Sequence, residues 1–238
     1  MSETIIISDE EPTSEVANND VLSTSRFFPT EVYSIAKPKF LEDATEVFDR
    51  YIKKTKKERP NKNKLYPVTM TENLQTENKL SEMMYYILNT TNNILSSQGY
   101  NMELYNVVLS EFWGQEHDMY SGHEEHVHTH GTQIAGFYFL DVPEDSSKVI
   151  IHDPRYGKRI IDLVESNPEN VTLVSTAINF TPKKGEFMFM NGWLPHSFTR
   201  HGNKKPLKFI HFNLGSRWIP TPPAPDANTE VQTNVEVV

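Results

Sequence analysis

His126-Val127-His128-Thr129-His130-Gly131-Thr132-Gln133-Ile134-Ala135-Gly136-Phe137-Tyr138-Phe139-Leu140 joins a histidine-rich stretch to a run aromatic enough to lie in a core. In a strand, residues i and i+2 point to the same face. His126 and His128 therefore present two imidazoles side by side, and so would His128 and His130. Five of the nine histidines, His117, His123, His126, His128 and His130, fall within fourteen residues. A sixth, His196, stands in Gly192-Trp193-Leu194-Pro195-His196-Ser197-Phe198, after the apolar run Phe187–Met190 and the turn Asn191-Gly192. Imidazole is the commonest metal ligand among side chains. Two ligands from one strand end and a third from another make a facial triad, with open positions opposite for substrate and oxygen. The competing readings are a surface cluster on a Gly- and Ser-containing loop, or an adventitious metal-binding tract.

Outward from this stretch the chain reads as many short strands. Apolar or alternating runs at Leu104–Trp113, Gln133–Val142, Val149–His152, Ile160–Leu163, Val171–Val174, Ile178–Phe180, Glu186–Met190 and Leu207–Leu214 are separated by turns rich in Gly, Pro, Asn and Asp. That grammar predicts an all-β sandwich or barrel. Upstream, Arg26–Ile35 reads as an opening strand closed by Pro38. Two amphipathic helices are predicted at about 39–58 and 77–97 from Leu41, Ala44, Val47, Phe48 and Ile52, and from Leu80, Met83, Met84, Ile87, Leu88 and Ile94. The fold class is therefore mainly β with flanking helices, with the β-core over about 103–218. The basic run Lys53, Lys54, Lys56, Lys57, Arg59, Lys62 and Lys64 reads as a solvated helix end favoured by the macrodipole. No aromatic residues are interleaved with it, so nucleic acid is not an expected partner.

Composition narrows the chemistry. The absence of cysteine excludes disulfides, thiolate nucleophiles, iron–sulfur clusters and Cys-rich zinc sites, and fits a reducing compartment. No signal peptide and no membrane-length apolar run is read, so the expected location is the cytoplasm. The net charge of −9 divides unevenly. Residues 1–25 hold six acids and no Lys or Arg, residues 219–238 hold three acids and again no base, and residues 26–218 are formally neutral. Both ends are expected to be disordered acidic tails, the second Pro-rich, around one domain over residues 26–218.

Six segments occur in one order: Glu125-His126-Val127-His128, Ile134–Pro143, His152-Asp153-Pro154-Arg155, Gly185–Phe189, Trp193-Leu194-Pro195-His196-Ser197 and Phe209-Ile210-His211-Phe212-Asn213. This set resembles the 2-oxoglutarate/Fe(II)-dependent oxygenases of the type encoded by tailed phages, over roughly residues 26–218. The resemblance implies a double-stranded β-helix (jelly-roll or cupin-like) core, with Fe(II), 2-oxoglutarate as co-substrate and O2. It also implies hydroxylation of a protein side chain or small molecule with release of succinate and CO2, ascorbate being a supportive reductant and the host cytoplasm the location. His126 takes the first-ligand position and His196 the distal one.

The chain departs from the family pattern at two points. Where the family places Asp or Glu, this sequence has His128. The second ligand is His128 itself, or His130, or a carboxylate from Asp118, Glu124 or Glu125. The resemblance further places a basic residue about ten positions after the distal histidine, against the far carboxylate of 2-oxoglutarate. Lys208 is the candidate there, with Lys205, Arg200 and Arg155 behind it, and Tyr138 and Asn213 are further candidate co-substrate contacts. Strand alternation puts Lys208 on one face and His211 with Asn213 on the other, so at most one set meets the site. Two other functions remain in play: a three-histidine cupin-like dioxygenase that does not use 2-oxoglutarate, and a non-enzymatic β-sandwich binding or virion-associated protein.

Overall fold

The computed structural model describes residues 27–63, 65–161 and 163–220. The expected N-terminal tail, Arg26, Lys64 and the C-terminal tail beyond Pro220 lie outside the described residues. The chain divides after Thr30, and all of its described helices and strands belong to the unit from Glu31 onward. Strand β1 spans Val32–Ala36, and helix α1 spans Leu41–Glu58 after a single 3-10 turn at Pro38–Phe40. Helix α2 spans Ser81–Ser97 behind a similar turn at Asn78–Leu80. Both helices fall where the periodicity placed them, and their apolar stripes are the faces they bury. Between them lies β2, Val68–Asn73, which no apolar run in the sequence marks. Then come β3 Tyr105–His117, β4 His123–His126, β5 Thr132–Asp141, β6 Val149–His152, β7 Ala177–Phe180, β8 Glu186–Asn191, β9 His196–Phe198 and β10 Leu207–Trp218.

The strands form two antiparallel sheets, a six-stranded one in the order β1-β8-β5-β10-β3-β2 and a four-stranded one in the order β4-β9-β6-β7. Side chains of the large sheet alternate between two cores, as a period of two requires. On β10, Ile210, Phe212 and Leu214 join Val47, Phe48, Leu80 and Ile87 of the helix layer. Leu207 and Phe209 turn the other way and meet Phe137 and Phe139 of β5, Val149 and Ile151 of β6 and Phe198 of β9 between the sheets. Gly136 shows how tightly the large sheet is stacked. A Cβ there would lie 2.4 Å from both the Met188 carbonyl oxygen and the Phe212 ring. This is a double-stranded β-helix with helices covering one face.

Two expected strands are corrected. Ile160 ends a 3-10 turn over Tyr156–Ile160, and neither Leu163 nor Val171–Val174 is in a strand. β6 pairs directly with β7, Val149 opposite Phe180, and neither intervening run joins a ladder. Their apolar side chains are exposed instead. The long connection is pinned at its start by Asp153, whose buried carboxylate accepts from Arg155 Nε at 2.9 Å and Nη2 at 2.8 Å and from Lys158 Nζ at 2.8 Å. Those bonds, led by Arg155, hold its pKa well below the usual carboxylate range despite burial. A depressed folded-state pKa adds stability above the unfolded value of 3.8 and loses it as pH falls through the folded value. Asp153→Asn is therefore expected to lower unfolding free energy by roughly 1–3 kcal/mol at neutral pH. Denaturant titration of both proteins should show that difference shrinking below about pH 4.

Candidate metal centre

Strand β4 ends at His126, which pairs across the small sheet with His196, the first residue of β9. Directly opposed residues in an antiparallel pair hold their Cβ atoms about 5 Å apart. The two rings accordingly meet with centroids 4.4 Å apart. His128 arrives differently from the expectation of a continuous strand. It lies beyond the end of β4, and its backbone N–H donates to the Gly192 carbonyl at 2.8 Å. Gly192 N–H in turn donates to Gln133 O at 2.8 Å, so one turn holds both the His128 segment and the start of β5. A Cβ on Gly192 would sit 2.5 Å from the Thr132 carbonyl oxygen, so this close approach requires glycine. Leu194, wholly buried, plugs the same turn, while Trp193 is exposed.

His126, His128 and His196 bring one nitrogen each to within 4.8 Å of one another. Their tautomers are set by the backbone. His196 Nδ1–H donates to Leu194 O at 2.9 Å, and His126 Nδ1–H donates to Glu124 O at 2.8 Å. Both rings therefore keep a lone pair on Nε2, as ligating histidines do when the second nitrogen donates elsewhere. His128 Nε2 faces His196 Nε2 at 3.3 Å. Burial lowers the pKa of His128 to about 4 and that of His196 to about 3, which keeps both rings unprotonated at neutral pH. The inward Nε2 lone pairs of His126 and His196, with His128 Nε2 beside them, make a set that fits a divalent metal.

The other candidates for a ligand lie elsewhere. His130 is exposed at a turn with φ 56°. Glu124 pairs with Arg200 at 3.1 Å, and Glu125 accepts from Arg159 at 3.0 Å. Asp118 is not in the cluster. The co-substrate candidates lie apart from the three imidazoles. Lys208 reaches Asp49 of α1 at 2.8 Å, on the helix side of β10. Tyr138 donates to Lys37 O at 2.9 Å within the helix-side core. Arg155 is held by Asp153, and His201 Nε2 donates to Lys205 O at 2.7 Å. Asn213 is buried two residues beyond His211, and its amide donates to Glu111. Parity decides these outcomes: Lys208 and Tyr138 share a side with the helix-facing residues of their strands.

Trp113 and Gln115, which the sequence pattern does not single out, stand beside the imidazoles together with His211. A cleft of about 90 Å3 lies against the cluster, lined among others by Trp113, Gln115, His123 and His211. His211 is fully inside, with Nδ1–H on Gly136 O at 3.0 Å and its ring 4.4 Å from Trp113 and 5.0 Å from His128. Trp113, Gln115 and His117 share the inner face of β3. The pairing of β10 with β3 was the missing signal, because only register shows that these residues stand opposite His211 and Leu207.

Residues 111–213 match the model of a family described as "Putative 2OG-Fe(II) oxygenase". No curated protein matches the chain in sequence. Among solved structures, AviO1 from Streptomyces viridochromogenes Tue57 is similar with a TM-score of 0.53 at 10% identity, over 81% of this chain and 93% of that one. HygX from Streptomyces hygroscopicus, solved with nickel and 2-oxoglutarate bound, is similar with a TM-score of 0.50 at 14% identity, over 78% of this chain and 83% of that one. At these identities the structural likeness speaks for the fold.

Proposed function

We propose, from the match of residues 111–213 to the model of a 2OG-Fe(II) oxygenase family, that this chain is such an oxygenase and that His126, His128 and His196 are its iron ligands. The observation that carries this is the convergence of the three imidazoles, two with Nδ1–H tied to backbone carbonyls and Nε2 turned inward. Bound iron with 2-oxoglutarate and O2 supplies oxidative decarboxylation to succinate and CO2, coupled to hydroxylation of a C–H bond. The chain's own contribution is positional. Gly192 and Leu194 fix the two loop-borne ligands, and the Phe137, Phe198 and Phe209 rings wall the inner side of the centre against water. An apolar inner wall of this kind limits the access of bulk solvent to the reacting groups from that side.

The substrate is proposed to be a protein side chain or a small molecule, and the tailed-phage source belongs to the same proposal. No described helix is long and apolar enough to cross a membrane. Protein purified in full length and supplied with Fe(II), ascorbate and 2-oxoglutarate is expected to form succinate even without substrate. Mass spectrometry of treated lysate components should find products heavier by one oxygen atom. Iron bound without any succinate would defeat this reading in favour of a three-histidine dioxygenase independent of 2-oxoglutarate.

A further inference from the structure

The strands that carry His126 and His196 share little backbone pairing. β4 is the outermost strand of the small sheet and meets β9 at two positions, His123 with Phe198 and His126 with His196, with the register broken between them. Glu124 and Glu125 fall in that break, immediately before a proposed ligand. On the outer face of the same sheet, side chains bridge from β4 to β6. Ile151 lies in the core between the sheets, so its neighbour His152 points outward. His152 Nε2 meets Ser197 Oγ at 2.8 Å, and its Nδ1 stands 3.6 Å from Glu125 Oε2. Arg159, from the connection after β6, closes the arrangement. Its Nη1 donates to Glu125 Oε1 at 3.0 Å and Oε2 at 3.3 Å, and its Nε donates to the Asp153 carbonyl at 3.1 Å. The Tyr156 ring covers the guanidinium, whose Cζ lies 4.7 Å from the ring centroid.

Geometry sets this contact apart from an ordinary surface ion pair, which contributes little. The Arg159 and Glu125 side chains are only 25% and 35% exposed, and the guanidinium is fixed by a carboxylate, a carbonyl and a ring. The pair also joins elements that no ladder joins, because β9 lies between β4 and β6. Its far end is firm: Asp153, whose carbonyl Arg159 holds, is itself pinned by Arg155 and Lys158. Glu125 and His126 leave β4 toward opposite faces, so a roll of this edge strand about its axis swings the His126 ring out of the cluster. Groups that orient a ligand typically account for about 10–100-fold in metal affinity. We propose that Arg159 is a positioning residue of the metal centre, gripping Glu125 from behind the small sheet and thereby fixing the aim of His126. This rests on the iron-site reading above and adds the residue that holds its edge strand in place.

The test reads metal affinity, by titrating Ni(II) into full-length protein in a calorimeter. Arg159→Met, which keeps an aliphatic stem and removes the guanidinium, should weaken Ni(II) about tenfold or more. Arg159→Lys should recover part of that loss, since a point charge still reaches Glu125 while the planar fork is gone. Arg155→Met, in the same connection but paired with Asp153 and not with Glu125, should change Ni(II) affinity by less than about twofold. In metal-free protein labelled with 15N-histidine, Arg159→Met should move the His126 ring resonances toward a mixture of tautomers and leave those of His211 in place. Unchanged Ni(II) affinity in Arg159→Met, or an equal loss in Arg155→Met, overturns the inference. So does tighter binding in Arg159→Met, which would make Glu125 a ligand that the ion pair withholds. Should Arg159→Met fail to fold, Glu125→Gln decides, because it keeps the side-chain shape and removes the charge that Arg159 grips. A loss of about threefold or more there supports the inference, and normal affinity overturns it. Failure of the parent protein to bind Ni(II) would sink the iron-site reading instead, which keeps the two failures apart.

Discussion

His196→Ala is expected to abolish metal binding and succinate formation while the fold persists, because the change removes a proposed ligand and leaves its strand in place. His196 sits between two ladder partners, His126 on β4 and Ile151 on β6, so β9 keeps its backbone pairing after truncation. The lost ring is wholly buried, and the resulting cavity costs a few kcal/mol at most. Equilibrium dialysis against Fe(II) or Ni(II) checks the first half, and far-UV circular dichroism the second. His117→Ala and His130→Ala, measured in parallel, should keep the metal: one ring lies deeper along β3, the other on the exposed turn. Retention of tight stoichiometric metal by His196→Ala would place the centre elsewhere.

Gly192→Ala should damage stability and metal affinity together. The added methyl has nowhere to go: the obstacle is the Thr132 carbonyl of an adjoining backbone, 2.5 Å from the ideal Cβ, and not a flexible side chain. Relief requires the turn to move away from β5. That movement stretches both hydrogen bonds Gly192 makes, from its N–H to Gln133 O and to its carbonyl from His128 N–H. Overpacking of this kind costs about 1–3 kcal/mol or more, and loss of groups that orient ligands typically lowers metal affinity about 10–100-fold. Chemical denaturation with and without metal, alongside Ni(II) titration, would separate the two effects. A variant with unchanged Ni(II) affinity would mean that His128 is not positioned through this turn.

The reach of the sequence differs between parts of the molecule for identifiable reasons. Both helices were legible because eighteen- and seventeen-residue stretches give several turns of a 3.6-residue period. β5 and β8 were legible as continuous apolar runs, which fits strands buried on both faces. β4 and β9 carry two of the proposed ligands yet span four and three residues, too short for any alternation to register. Ile160–Leu163 and Val171–Val174 failed the opposite way: their composition suits a strand, but they join no ladder and bury none of their apolar side chains. Parity places Lys208 and Tyr138 on the helix side. Their distance along the chain from His196 and His128 was suitable, but a shift of one residue decides which sheet face a side chain meets. Gln115 and His117 were present as residues and invisible as neighbours, since their relation to Leu207 and Phe209 exists only through long-range strand pairing.

The turn that carries the distal histidine is also tied to the opposite side of the large sheet. Gln98, just past α2, and Asn191, at the end of β8, exchange two amide hydrogen bonds of 3.0 Å each. The helix layer therefore shares a mechanical joint with the loop at the metal centre. Whatever loosens the C-terminal end of α2 relaxes the same turn that an occupied centre would tighten, so the two ends are thermodynamically linked and each reports on the other. In this chain the helices do more than shield a sheet from water. Through Gln98 and Asn191 they also anchor the turn that leads to His196.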